Sequence, residues 1–243
     1  MEGLMGFVIT VGVIVTILFL VMRVKKGGLP AMFIKAGASA CFIGTAFVAY
    51  AYNIEKNGYT KERFEYGILM LLGFIFSLLG DVWLDLKYVH KESSRPYTYA
   101  GFACFMVGHT FFIPAILLGY DKFEWWYALI IIASCAVFVA VAALMEKLNK
   151  NLDYGEYRPI TLIYAVFVAG TMFCAINKLI YVGYSTKYLL LTIGSISFVL
   201  SDLVLSSIYF EKGKNTKGYV LVNHILYYLA QFMFASTLLM SAN

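Results

Sequence analysis

The feature that most restricts this chain is a repeated length. Eight mostly apolar runs lie at about residues 4–22, 30–52, 66–86, 97–119, 124–145, 159–180, 187–209 and 218–240. Each is close to the roughly 20 residues that a helix needs to cross the hydrocarbon core of a bilayer. Short polar connections such as "RVKKGG", "KESSRP" and "EKGKNTKG" separate them. Lipid offers no partner to a backbone N–H or C=O, so each run must close its own hydrogen bonds as a helix. Charged residues make up 14% of the chain, against about a quarter in a soluble domain. With four prolines and no Ser/Gly-rich linker, residues 1–243 are expected to form one all-α integral membrane domain of eight transmembrane helices.

The charges say which way it sits. Connections after the odd-numbered helices, with Lys35 at the entry to the second, hold 13 of the 19 Lys and Arg; the others hold 6. Cytoplasmic loops carry the basic excess, so the odd connections are expected in the cytoplasm and both termini on the opposite side. The bacterial inner membrane and the endoplasmic reticulum both fit. The first run begins with Glu2 and its positive charges follow it, unlike a cleaved signal peptide. The net charge of +5 is scattered over short loops, so nucleic acid is not an expected partner. Cys41, Cys104, Cys135 and Cys174 all fall in apolar runs without a CxxC pair and read as small packing residues.

An internal repeat adds more. "LGDVWL" at 79–84 matches "LSDLVL" at 200–205, and "VGHTFF" at 107–112 matches "LAQFMF" at 229–234. "FIGTAFVAYAYN" ending at Asn53 resembles "VFVAGTMFCAIN" ending at Asn177. The interval holds four helices, an even number, so two parallel halves of about 1–122 and 123–243 would face each other across a central polar cavity. Asp81 and Asp202 then become equivalents, as do His109 and Gln231, and Lys35 and Arg158.

Helical spacing gathers the polar residues into stripes. Ser77, Asp81 and Asp85 share a face of the third helix, and Ser195, Asp202 and Ser206 a face of the seventh. His109 lies on the stripe of the fourth, and Asn223, Tyr227 and Gln231 on that of the eighth. A charge at bilayer depth costs about 2.5–3.5 kcal/mol on insertion scales, so such residues mark a hydrated pathway or a reaction site. At about 1.5 Å per residue, Asp81 and Asp202 lie roughly 8–11 Å from the inner end of their helices. Asp85 falls near the inner interface and reads as solvated. Lys35 and Arg158, at inner helix ends, are placed to meet a phosphate.

Two carboxyl groups brought together in a low-dielectric cavity cannot both ionise cheaply, which makes one a proton donor and the other an acceptor. Asp81 and Asp202 are therefore the expected catalytic pair. Ser77, His109, Asn223, Tyr227 and Gln231 are expected to position water or substrate. The three histidines form no HxxxH or HExxH pair, so no metal ligand set is expected. With no GxSxG elbow and no Gly-rich phosphate loop, serine hydrolase and nucleotide chemistry are not expected, nor is a cofactor.

The segments "LLGDVWL", "GFACFMVGHTFF", "LSDLVLSSIYF" and "NHILYYLAQFMFAS", in this order over eight helices, resemble the lysoplasmalogenase (YhhN-like) integral membrane proteins. The resemblance implies hydrolysis of the vinyl ether bond of a lysoplasmalogen to a fatty aldehyde and glycerophosphocholine or glycerophosphoethanolamine, without a required metal. It also implies essential roles for the two motif aspartates, which match Asp81 and Asp202. Where members often carry a Tyr about a turn after the motif His, this chain has Phe111 and Phe112. The competing reading is a proton-coupled carrier of small molecules or lipids, which parallel repeats with carboxylates at their interface also suit. Against it, Pro114 has no counterpart in the eighth helix.

Overall fold

A computed structural model describes residues 2–119 and 124–240. Those residues form eight α-helices: α1 (Glu2–Lys25), α2 (Gly28–Asn57), α3 (Lys61–Val89), α4 (Ser94–Leu117), α5 (Trp125–Leu148), α6 (Arg158–Val182), α7 (Thr186–Phe210) and α8 (Lys217–Ser236). Most overrun the apolar stretches, by as much as five residues in α2 and α3, because their polar ends can meet water and caps. Thr60 accepts from the Arg63 N–H to start α3, and Thr216 accepts from the Tyr219 N–H to start α8. At its far end α8 tightens into a 3₁₀ turn, Thr237–Leu239. There Thr237 bonds the Phe234 carbonyl and the Tyr66 hydroxyl.

Seven of the eight helices are long and apolar enough to cross a membrane. The remaining one, α8, carries Asn223, His224 and Gln231 within its 20 residues, which dilutes its apolar character. Polarity is arranged inside out. Phe7, Phe33, Ile132 and Ile180 point outward, while Lys35, Ser39, Asp81, His109 and Gln231 are buried. Such a surface belongs in lipid, where apolar side chains need no cover and polar ones do. The chain is a multi-pass integral membrane protein.

Helices α2, α3, α4, α6, α7 and α8 pack in that order as a closed ring, with α8 returning to α2. Outside it, α1 lies against α2 and α8, and α5 against α6. Helix α5 is apolar on nearly every side, with Cys135 its one buried residue, as expected of a helix surrounded mostly by lipid. The tightest pair is α3 with α4. A Cβ at Gly108 would sit 3.1 Å from the Gly73 carbonyl oxygen, and one at Gly73 would meet the Phe112 ring. Small residues are what allow helix backbones to approach this closely.

Connections after the odd-numbered helices collect at one end of the bundle. Leu152 and Glu211 form an isolated β-bridge there, and Arg95 pairs with Glu156 at 3.0 Å. At the other end Lys178 donates to the Leu118 carbonyl and Asn53 to that of Leu238. The four cysteines are unpaired.

Candidate active site

A cavity of about 500 Å³ opens at the odd-loop end, beside Gly27 and Asn215, and penetrates between α2, α3, α7 and α8. Its lining includes Lys35, Asp81, Asp85, Asp202, Asn223 and Tyr227. The volume is that of a small-ligand site, which typically runs to about 300–1,000 Å³.

Asp81 is fully engaged. Its Oδ1 lies 3.1 Å from the Lys35 ammonium, while Oδ2 accepts from Ser39 Oγ at 2.6 Å and from Tyr227 Oη at 2.7 Å. Tyr228 joins from below: its hydroxyl is 3.2 Å from Ser39 Oγ and donates to the Lys35 carbonyl. The local cause is a match of two helical repeats. Lys35 and Ser39 stand one turn apart on α2, opposite Asp81 and Asp85 one turn apart on α3. Lys35 reaches both acids, with Asp85 Oδ1 at 3.4 Å, and Arg23 of α1 completes the ladder by pairing with Asp85.

Asp202 sits in a different setting. Its Oδ2 accepts from Tyr164 Oη of α6 at 2.7 Å, and among the described residues no basic side chain pairs with it. Its place on the cavity wall is fixed by the neighbouring Ser201. Asn223 Nδ2 donates to the Ser201 carbonyl at 2.8 Å and to its Oγ at 3.0 Å, and Ser201 Oγ donates to the Asn223 carbonyl. Asp202 also borders a second, narrow apolar cavity of about 60 Å³, walled by Phe138 and Ala142 of α5, Ala165 and Val168 of α6, and Val199 of α7. One carboxyl thus faces polar space on one side and an apolar slot on the other.

The structure brings Asp81, Asp202, Lys35, Asn223 and Tyr227 to one cavity and leaves other expected residues outside its lining. Ser77 spends its hydroxyl on the Gly73 carbonyl of its own helix. His109 is buried, with Nδ1 2.8 Å from Thr171 Oγ1, and its ring packs on Phe198, which in turn packs on Phe105 and Tyr227 at the cavity wall. Gln231 is buried in the core beside Tyr227, and His109 Nε2 has no hydrogen-bond partner among the described residues. Arg158, expected to meet a phosphate, instead pairs with Glu146 at 2.8 Å on an exposed surface. Lys35, given the same role, is buried between two carboxylates that need its charge. Asp85 is not solvated at the interface but 4% exposed, held by Arg23 and Lys35.

Sequence reasoning missed Ser39, Tyr164, Ser201 and Arg23. The i, i+4 match between Lys35/Ser39 and Asp81/Asp85 was the signal available for the first. Tyr164 and Ser201 carried none, being ordinary residues inside apolar runs. Among the described residues no three His, Cys, Asp or Glu side chains converge to hold a metal ion; His224 instead hydrogen-bonds the Val220 carbonyl.

No characterised protein and no solved structure is detectably similar to the chain. A family model does match, over residues 31–238, a span that takes in the Asp81 and Asp202 helices and most of the bundle. On that match the chain belongs to the YhhN family.

Proposed function

We propose that this protein hydrolyses the vinyl ether bond of lysoplasmalogens, with Asp202 as the acid and Asp81 as the carboxylate. One observation carries the assignment: the two aspartates share a cavity but not an electrostatic setting. Asp81 has an ammonium and two hydroxyl donors aimed at it, which favours the ionised form. Asp202, at bilayer depth with a phenol beside it and no cation paired with it among the described residues, keeps its proton on the oxygen that Tyr164 does not occupy. Family membership is consistent with this activity.

The chemistry closes on these two groups. Asp202 delivers its proton to the β-carbon of the enol ether, leaving an oxocarbenium ion whose charge the Asp81 carboxylate stabilises. Water attacks the α-carbon and gives a proton to Asp81, forming a hemiacetal. On collapse, the leaving glycerol oxygen takes the proton from Asp81 while the hemiacetal hydroxyl returns one to Asp202. The products are a fatty aldehyde and glycerophosphocholine or glycerophosphoethanolamine, and both aspartates are reset. General acid–base catalysis of this kind contributes typically about 10²–10⁴-fold. The apolar slot beside Asp202 suits the alkenyl chain, which would run between α5 and α7 toward lipid.

The helix neighbours support a parallel-repeat reading. Within the ring, α2–α3–α4 is joined to α6–α7–α8 by the corresponding contacts α4–α6 and α8–α2. Asp81 and Asp202 then occupy matching places on α3 and α7. The cavity opens at the end bearing the odd-numbered connections, where 13 of the 19 basic residues gather, so it faces the cytoplasm and both termini lie opposite.

The test is turnover. Purified protein treated with chelator releases aldehyde from a lysoplasmalogen, and Asp81→Asn and Asp202→Asn each abolish release while retaining the folded elution profile. Full activity in either variant refutes the acid–carboxylate pair, and strict dependence on added metal refutes the metal-free mechanism. Movement of intact lipid across a vesicle membrane without aldehyde release would establish the carrier reading instead.

A further inference from the structure

Lys87, in the last turn of α3, is part-buried, and among the described residues no carboxylate pairs with it. Its Nζ stands 2.8 Å over the Tyr209 ring and 5.0 Å from the centroid of Tyr88. Three acids near this end are committed elsewhere: Asp85 to Arg23 and Lys35, Glu156 to Arg95, and Glu146 to Arg158. The two aromatic rings attract the amine and hold its position without a carboxylate partner.

Lys87 lines a chamber. A cavity of about 350 Å³ is lined by Lys87, Ser94, Thr98 and Asn215, and it shares Tyr88, Ile208, Tyr209 and Asn215 with the cavity that holds the aspartates. An amine, hydroxyls and an amide therefore border a mixed polar and aromatic space at the mouth of the site, at headgroup level. Lys35 and Arg158, the cations placed by sequence for a phosphate, are both bound to acids; Lys87 is not.

We infer that this chamber binds the phosphodiester of the lysophospholipid, with Lys87 as its positioning cation. The inference rests on the proposed hydrolase reading and names the part of the substrate that this chamber would hold. The phosphate would lie against Lys87, the glycerol would extend past Tyr88 and Tyr209, and the ether carbon atoms would reach Asp202. Lys87 touches no reacting atom, so its loss acts on binding and not on the chemical step.

Two substrates separate the roles. For a lysoplasmalogen, Lys87→Gln raises KM by about tenfold, the worth of one charge-assisted contact, and leaves kcat nearly unchanged. For the phosphate-free 1-alkenylglycerol the same variant matches wild type, and Lys87→Arg behaves as wild type on both. Equal changes on the two substrates, or no change on either, overturn the inference. A binding measurement stands apart from turnover and so from the hydrolase reading. The uncleavable 1-O-alkyl-glycerophosphoethanolamine should bind Lys87→Gln about tenfold more weakly than wild type, while 1-O-alkylglycerol binds both alike. Identical binding of the phosphorylated ether to both proteins overturns the assignment even if no aldehyde is ever released. Inorganic phosphate should compete only weakly, since a lipid headgroup is the ligand; tighter binding of free phosphate than of the lipid would overturn that choice.

Discussion

Removing the Lys35 charge isolates the feature on which the proposed chemistry depends. At 3.1 Å from Asp81 Oδ1, an ammonium contributes about 5 kcal/mol of attraction at an effective dielectric of 20, before desolvation is subtracted. In Lys35→Met the carboxyl loses that term, and taking up a proton becomes cheaper than remaining an uncompensated buried anion. Asp85 keeps Arg23, so the rest of the ladder survives and the bundle folds. A protonated Asp81 can neither stabilise the oxocarbenium ion nor accept a proton from water, so kcat should fall by about 10²–10⁴-fold. The assay is steady-state aldehyde release by Lys35→Met, Asp81→Asn and the double variant, each checked for retained folding. If Lys35 acts through Asp81, the double variant is no slower than the slower single one. A raised KM with unchanged kcat would instead make Lys35 a phosphate anchor. Additive losses would refute the coupling outright.

Other changes probe neighbouring parts of the site. Tyr227→Phe deletes a 2.7 Å donor to Asp81 and should lower kcat by about 10–100-fold, as a hydrogen bond to a charged group is worth about 1.5–3 kcal/mol. Arg158→Gln breaks a surface pair with Glu146 and should leave both kcat and KM within about twofold, because exposed pairs contribute at most about 1 kcal/mol. Ala142→Trp fills the apolar slot beside Asp202; turnover of long-chain lysoplasmalogens should drop at least about tenfold relative to short-chain ones, a loss readable in a chain-length series. Gly108→Ala pushes a methyl against the Gly73 carbonyl and should destabilise the bundle by about 1–3 kcal/mol, seen as a lower Tm in detergent.

The helices were legible because their signal is local: apolar length and polar punctuation. The extension of α1 to Lys25 was less so, and with it went Arg23, which reads as a loop charge in sequence but reaches Asp85 from the helix end. Periodicity placed Asp81, Asn223 and Tyr227 on inward faces, and all three line the cavity. The same periodicity placed Ser77, His109 and Gln231 inward too, yet none reaches the lining. A stripe specifies a face of a helix, not the depth at which that face meets open space. Ser77 satisfies itself on its own helix, and His109 lies behind Phe198. Partnerships between helices were the hardest to read. Nothing in one helix says that Lys35 will meet Asp81, or that Tyr164 will meet Asp202, because both depend on the order in which the ring closes.

The electrostatic difference between the two aspartates can be read by infrared difference spectroscopy of the purified protein in ester-free detergent. A protonated carboxyl C=O band, sensitive to exchange into D₂O, should be present in wild type and Asp81→Asn and lost in Asp202→Asn. A band that survives in Asp202→Asn and disappears in Asp81→Asn would reverse the acid and the carboxylate and contradict the mechanism.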